Sequence, residues 1–132
     1  MTESALTIGE LARRTGCKVP TVRYYESIGL LPQPTRSVGN QRRYGPKDLA
    51  RLGFIQHCRE FGFSQSTIRG FLEVAAHPER SCESVTAVVQ GHLEDVTEQM
   101  ARLAWLKNEL ERMIKSCPSG KVAGCQILEV LA

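Results

Sequence analysis

Apolar positions recur every three or four residues through most of the chain, which is the spacing of one face of an α-helix. Two short helices are predicted near the N-terminus, from Leu6 to Arg14 and from about Val19 to Ile28. Thr7 is placed to cap the first helix, and Gly29 ends the second, where glycine tolerates a left-handed backbone. The tight turn between them, at residues 15–17, completes a helix-turn-helix pattern.

The helical periodicity stops between Leu31 and Tyr44, where prolines, Gly39 and Asn40 predict loops and a small hairpin. Basic and aromatic side chains cluster on this segment: Arg36, Arg42, Arg43 and Tyr44. A charged loop in solvent is one interpretation. Because the segment directly follows the second helix, a wing that lies on DNA phosphates is the better one. Residues 31–44 are called the wing below.

Two further helices are predicted after the wing. The first begins at Pro46 and ends at Gly62, and Ser64 caps the second. The expected buried positions are Leu49, Leu52, Ile55 and Cys58 in one helix and Ile68, Phe71, Leu72 and Ala75 in the other. His77 and Pro78 then break the pattern.

A long helix is predicted from Glu83 to Ser116, which contains no proline. Its apolar residues step by three and four along one face, as in a coiled coil. This face, called the seam below, consists of Val85, Val89, Leu93, Val96, Met100, Leu103, Leu106, Leu110 and Met113. A short amphipathic stretch, residues 126–131, closes the chain.

Charge is unevenly distributed along the 132 residues, whose formal net charge is +3. Residues 1–70 carry eleven Lys and Arg against five Asp and Glu, whereas residues 71–132 carry six against nine. A basic N-terminal half predicts binding to nucleic acid, and an acidic helical half predicts pairing. No apolar run is long enough for a membrane span. Since no targeting segment is visible, we expect a cytoplasmic protein whose thiols stay reduced.

Three cysteines lie at the edges of the long helix, where one chain cannot bring them together. Cys82 precedes the helix, whereas Cys117 and Cys125 follow it with seven residues between them. A rise of about 1.5 Å per residue separates the helix ends by roughly 50 Å. An antiparallel dimer would place Cys82 of one copy beside Cys117 and Cys125 of the other. Three thiolates form a site for soft metal ions.

Cysteine also has roles other than metal binding. Cys17 and Cys58 are expected to be small buried hydrophobic residues, because neither has a partner at ligand spacing. The odd number of five cysteines disfavours a disulfide framework, and no C-x-x-C redox motif occurs. A redox regulator that uses Cys117 and Cys125 stays open, as does a constitutive DNA-binding protein with structural zinc. His77 is about as apt to be a solvent-facing loop residue as a metal ligand.

Residues 21–31, T-V-R-Y-Y-E-S-I-G-L-L, resemble the MerR family of bacterial transcription regulators. So do Ile8-Gly-Glu-Leu-Ala12 before them and the wing after them, and the resemblance extends over essentially the whole chain. It implies a winged helix-turn-helix joined to an antiparallel coiled-coil dimer. It also implies DNA contacts from the second helix and the wing, by Thr21, Arg23, Tyr24, Arg36, Asn40, Arg42 and Tyr44. Gln41 departs from the family, whose members often have an aromatic residue there.

The C-terminal half resembles the metal-sensing branch of the family. In that branch copper(I) sensors have a serine at the head of the dimerisation helix, and sensors of divalent ions have a cysteine, as at Cys82. The implied ligands are Cys82, Cys117 and Cys125, holding one soft divalent ion per site: zinc, cadmium, lead or mercury. Three or four donors suit a divalent ion, whereas two thiolates satisfy linear copper(I). The seven-residue spacer resembles copper sensors, so a copper(I) or silver(I) regulator is the alternative.

The sequence therefore predicts a mainly α protein with four parts. These are a winged helix-turn-helix domain (1–75), a linker (76–82), a dimerisation helix (83–116), and a metal-binding loop with a short helix (117–132). We expect a homodimer that binds double-stranded promoter DNA and distorts it on metal binding, so that RNA polymerase transcribes a metal-resistance operon. An enzyme is not expected, because neither a Gly-rich phosphate loop nor an HExxH motif occurs.

Overall fold

The computed structural model describes residues 5–36, 38, 39, 41–116 and 120–132. The chain divides into two compact units, Met1–Cys82 and Glu83–Ala132. Residues 76–82, which the sequence assigns to a linker, group with the first unit. In the described part of the chain, no helix combines the length and apolarity that crossing a membrane requires.

The first unit begins with the predicted pair of helices, α1 (Ile8–Thr15) and α2 (Val19–Ser27). The Thr7 hydroxyl accepts a hydrogen bond from the Glu10 backbone N–H at 3.2 Å and so caps α1. Gly16, at φ 71°, forms the left-handed turn that ends α1 and redirects the chain into α2. Both helices and the turn agree with the helix-turn-helix prediction.

The wing contains a two-stranded antiparallel hairpin of β1 (Thr35–Arg36) and β2 (Arg42–Arg43). Thr35 pairs with Arg43, and Arg36 pairs with Arg42. The next residue, Tyr44, exchanges two backbone hydrogen bonds with Leu6, at 2.8 and 3.0 Å. The wing is thereby anchored to the chain segment that enters α1.

Helices α3 (Pro46–Glu60) and α4 (Gln65–Ala75) complete the first unit. The Asp48 carboxylate accepts from the Gly45 backbone N–H at 2.9 Å, and the Ser64 hydroxyl caps α4 through the Thr67 N–H. All but one of the eight predicted positions pack in or against the core: Leu49, Leu52, Ile55, Cys58, Ile68, Phe71 and Leu72. Ala75 is the exception. It is the last residue of α4 and is exposed, while its neighbour Val74 is half-buried.

The second unit consists of α5 (Glu83–Lys115), a 3₁₀ turn (Val122–Gly124) and α6 (Gln126–Leu131). None of the residues of α5, all of which the structure describes, is buried in the single chain. Most of the seam is exposed, including Leu93 and Leu103 at 55% and 63%. A helix of 33 residues that buries no apolar side chain lacks the packing that normally stabilises helices in proteins.

Candidate nucleic-acid interface and thiol site

The face of α2 that points away from the core carries Arg23 and Tyr24, both of which are exposed. Thr21 lies one turn earlier and is half-buried. The opposite face, formed by Val22, Tyr25 and Glu26, is buried. Because of the helical period, the Arg23 guanidinium and the Tyr24 phenol are accessible to a ligand, while the buried face packs α2 against the core.

Two of the predicted wing contacts, Arg36 and Arg42, are cross-strand partners in the hairpin. Arg36 is exposed and Arg42 is half-buried. Asn40 lies outside the described residues. The hairpin thus presents guanidinium groups on a short ribbon that follows α2 in the chain.

A buried carboxylate joins the wing to α2. The Tyr44 hydroxyl donates to Glu26 Oε2 at 2.9 Å, and Arg42 Nε lies 3.8 Å from Glu26 Oε1. Glu26 is only 5% exposed, and within the described residues neither its Oε1 nor Arg42 Nε has a hydrogen-bond partner. A buried carboxylate is stabilised by a nearby cation, so the charge of Arg42 complements Glu26 from the wing side.

The structure corrects the role predicted for Tyr44. Its side chain is 1% exposed, and its hydroxyl is already bonded to Glu26, so it cannot donate to a DNA phosphate in this conformation. Burial, reinforced by the bond to Glu26, raises the pKa of Tyr44 above its usual range. The aromatic ring completes the core under the wing, where the sequence pattern suggested a ligand contact.

The two described cysteines of the predicted metal site lie on either side of the long helix in the sequence. Cys82 is exposed and immediately precedes α5, whereas Cys125 is half-buried at the N-terminal cap of α6. Cys117 lies outside the described residues. Within those residues of one chain, no three His, Cys, Asp or Glu side chains form a metal-binding cluster. His77 contacts Glu79, with Nδ1 3.3 Å from Oε1.

The remaining cysteines belong to the core, as predicted. Cys17 and Cys58 are both buried. Burial raises the pKa of each thiol. A raised thiol pKa disfavours the thiolate that binds metal, so these residues contribute packing.

Comparison with known proteins places this architecture in a family. Residues 6–74 match the MerR HTH family regulatory protein domain, and residues 49–113 match the domain described as MerR, DNA binding. The chain belongs to the MerR family.

Relatives of this MerR family chain include transcriptional regulators, one of them of a mercuric resistance operon. The HTH-type transcriptional regulator ZntR of Escherichia coli is 35% identical over 127 residues, covering 94% of this chain and 90% of that protein. The mercuric resistance operon regulatory protein of Serratia marcescens is 35% identical over 114 residues, covering 85% and 76%. The crystal structure of the transcription regulator PbrR691 from Ralstonia metallidurans in complex with lead(II) is similar at TM-score 0.84 and 42% identity. It covers 96% of this chain and 99% of that one.

Glu26 is the residue of the interface that the sequence prediction missed. It is an acidic residue in a basic half, and it lies four residues after Val22 on the apolar face of α2. A charged residue at a core position is a signal for a buried partner, which Tyr44 and Arg42 supply.

Proposed function

We propose that this MerR family chain is a homodimeric regulator that activates a resistance operon in response to a soft divalent metal ion. The observation that supports this most strongly is the match, along nearly the whole chain, to a regulator crystallised with lead(II). Cys82, exposed at the head of α5, supplies a third thiol for a divalent ion.

The proposed DNA contacts come from α2 and the wing. Arg23 and Tyr24 are exposed on α2 beside Thr21, and Arg36 and Arg42 lie on the hairpin near Asn40 in the sequence. Arginine can bind a phosphate or the edge of guanine, and tyrosine can donate to a phosphate. The excess of Lys and Arg in residues 1–70 adds a general attraction to the DNA backbone.

The seam is the proposed dimer contact. Its side chains are apolar and largely exposed in one chain, and their spacing of three and four residues fits packing against a second helix. An antiparallel copy covers the seam and pairs the start of each α5 with the end of the other. Dimerisation thereby supplies the packing that the single helix lacks.

The proposed metal site draws Cys82 from one protomer and Cys117 and Cys125 from its partner. Three thiolates are soft donors, and together with a divalent ion they leave a net charge of −1. The half-buried position of Cys125 at the cap of α6 holds its sulfur on a short ordered element. The donor set therefore fits zinc, cadmium, lead or mercury.

The site and the promoter are proposed to be coupled through α5, which extends from Cys82 to the segment that contains Cys117. Ligand binding at the ends of the dimer would shift the relative placement of the two DNA-binding domains. Distortion of the promoter would then allow RNA polymerase to start transcription in the cytoplasm. The specificity for the promoter would rest partly on DNA deformability. Such coupling must be reciprocal, so promoter geometry would also change metal affinity.

A reporter assay across metal ions tests this function. Cells that carry the protein and its own promoter fused to a reporter are exposed to zinc, cadmium, lead, mercury, copper or silver. We expect transcription to rise with one or more of the divalent ions. The Cys17→Ala variant, which removes a thiol outside the site, should respond as the wild type does. A reporter that stays insensitive to all six ions would overturn the proposal.

The seven-residue spacer between Cys117 and Cys125 favours copper(I) or silver(I) sensing as the second candidate. The Cys82→Ser variant separates the two, because copper(I) needs only the two loop thiolates. Loss of the divalent response with a retained or new copper response supports the three-thiolate site. A wild type that answers only to copper or silver would establish the second candidate.

A further inference from the structure

Two arginines from different helices converge on the end of α2. Arg51 of α3 donates from Nε to the Leu30 carbonyl at 2.7 Å. Arg69 of α4 donates from Nη2 to the Ile28 carbonyl. Between these two carbonyls lies Gly29, whose φ of 80° turns the chain out of the helix. One short turn of backbone is thus held by guanidinium groups from both following helices.

The position of these arginines suits the electrostatics of a helix end. The Ile28 carbonyl lies at the C-terminal cap of α2, where carbonyls carry partial negative charge and lack partners within the helix, and the Leu30 carbonyl follows in the turn. A guanidinium offers charge-assisted hydrogen bonds to such carbonyls, which are stronger than neutral ones. Arg51 and Arg69 therefore stabilise this conformation of the turn rather than merely lying near it.

One side of the turn is open. A cleft of about 320 Å³ lies beside it, lined by Gly29, Leu30, Leu72 and Ala76 and by Glu73 and the two arginines. A Cβ atom at Gly29 would lie 3.6 Å from Arg69 Nη1, which is an ordinary contact distance. The backbone N–H groups of Gly29 and Leu30 also donate to the Glu26 and Tyr25 carbonyls, and Leu30 is buried. What the two arginine bonds add to these local constraints is a link from the turn to α3 and α4.

We infer that Arg51 and Arg69 are positioning residues for DNA recognition, holding α2 and the start of the wing at a fixed angle on α3 and α4. They act on DNA binding through α2 and contact no phosphate themselves. The inference rests on the proposed DNA contact by α2. Through Arg69, α4 is hydrogen-bonded directly to the end of α2, and residues 76–82 connect α4 to α5 in the chain.

The test compares Arg69→Met with Arg80→Met. Arg69 is exposed, so its replacement leaves the core intact, and Arg80 is an exposed arginine beyond α4 that serves as a charge-matched control. Two DNA probes are used: a duplex that the wild type selects from a random library, and a scrambled duplex of the same composition. Affinity for both is measured over a range of salt concentrations, and thermal unfolding confirms that each variant is folded.

We expect Arg69→Met to bind the selected duplex roughly five- to tenfold more weakly, the order of one net hydrogen bond at a solvent-exposed site. Binding to the scrambled duplex should change no more than in Arg80→Met, so the specificity ratio falls. The slope of log affinity against log salt should match that of Arg80→Met, because the guanidinium of Arg69 contacts no phosphate. A purely structural role would lower the unfolding temperature without changing the specificity of the folded fraction.

Several results would contradict the inference. If the specificity ratio of Arg69→Met equals that of Arg80→Met, Arg69 does not position α2. If the salt slope of Arg69→Met falls by about one phosphate, Arg69 contacts DNA directly. Arg51→Met gives an independent second measurement, since both arginines hold the same turn, and wild-type specificity in that folded variant also overturns the inference. A wild type that selects no duplex would overturn the proposed function and this inference together, whereas a selective wild type with an equally selective Arg69→Met overturns this inference alone.

Discussion

At the scale of single residues, the buried carboxylate of Glu26 links the two elements proposed to bind DNA. Glu26 accepts a hydrogen bond from Tyr44 and lies beside the Arg42 guanidinium, so side-chain interactions connect the wing to α2 in addition to the continuous chain. The sequence could indicate Arg23 and Tyr24 as exposed, because helical periodicity separates them from Val22 and Tyr25. It could not indicate that Tyr44 is buried, because a tyrosine beside arginines fits a core position and a phosphate contact equally well.

Replacing Tyr44 tests the bond to Glu26. Tyr44→Phe keeps the ring in the core but leaves Glu26 Oε2 without its donor, so we expect the free energy of unfolding to fall by about 1–3 kcal/mol. The matched control is Tyr24→Phe, whose hydroxyl is exposed and should matter by no more than about 0.5 kcal/mol. Urea denaturation of the three proteins measures both effects. Equal stability of the two variants would show that the buried bond is unimportant.

The raised pKa of Tyr44 predicts instability in alkali. The tyrosine pKa in an unfolded chain is about 10, and the folded state keeps Tyr44 protonated to higher pH. Above pH 10 unfolding therefore releases a proton, so the stability present below that pH is lost as pH rises. Between about pH 9 and about pH 11, the wild type should lose more stability than Tyr44→Phe. Tyr25, whose pKa is also raised by burial, is present in both proteins. Identical losses would contradict the assignment to Tyr44.

Arginine replacements test the proposed DNA face. Arg23→Ala and Arg42→Ala should each weaken DNA binding and reduce the salt slope by about one phosphate. Affinity measured against salt concentration checks this, and Arg80→Met serves as the control that removes a charge elsewhere. If both variants keep the slope of the control, the DNA face lies on another surface.

At the scale of elements, the sequence predicted the order and the bounds of the helices well. Thr7, Gly29, Pro46 and Ser64 are strong local signals for helix ends, because each satisfies or avoids an unpaired backbone group. The hairpin in the wing was also predicted. The hydrogen bonds from Arg51 and Arg69 to the end of α2 were not predictable, because they join residues that are distant in sequence.

The seam of α5 yields a prediction about assembly. Leu103→Glu places a charge in the middle of the proposed dimer contact, so we expect the dimer to dissociate at micromolar concentration. Ala101→Glu adds the same charge at an exposed position outside the seam and should leave the dimer intact. Sedimentation equilibrium measures the mass of each variant. A dimeric Leu103→Glu together with a monomeric Ala101→Glu would show that another face of α5 pairs.

At the scale of the whole molecule, the proposed metal site is completed only by a second chain. The separation of Cys82 from Cys125 along a helix of 33 residues follows from sequence and helix geometry alone. In the proposal, the symmetry of the dimer brings Cys82 of one chain beside Cys125 of the other. The contacts within a single chain do not contain this information. The identity of the metal ion depends on small differences in donor geometry, which residue spacing does not specify.

Metal binding by a mixed dimer tests this central claim most directly. Chains carrying Cys82→Ser and Cys117→Ser are coexpressed with different tags, and the heterodimer is isolated and titrated with cadmium. Each variant homodimer lacks a complete three-thiolate site, whereas the heterodimer combines an intact Cys82 from one chain with Cys117 and Cys125 from the other. We predict one tightly bound ion per heterodimer, two per wild-type dimer and none at that affinity in either homodimer. A stable heterodimer that binds no cadmium would contradict the shared site.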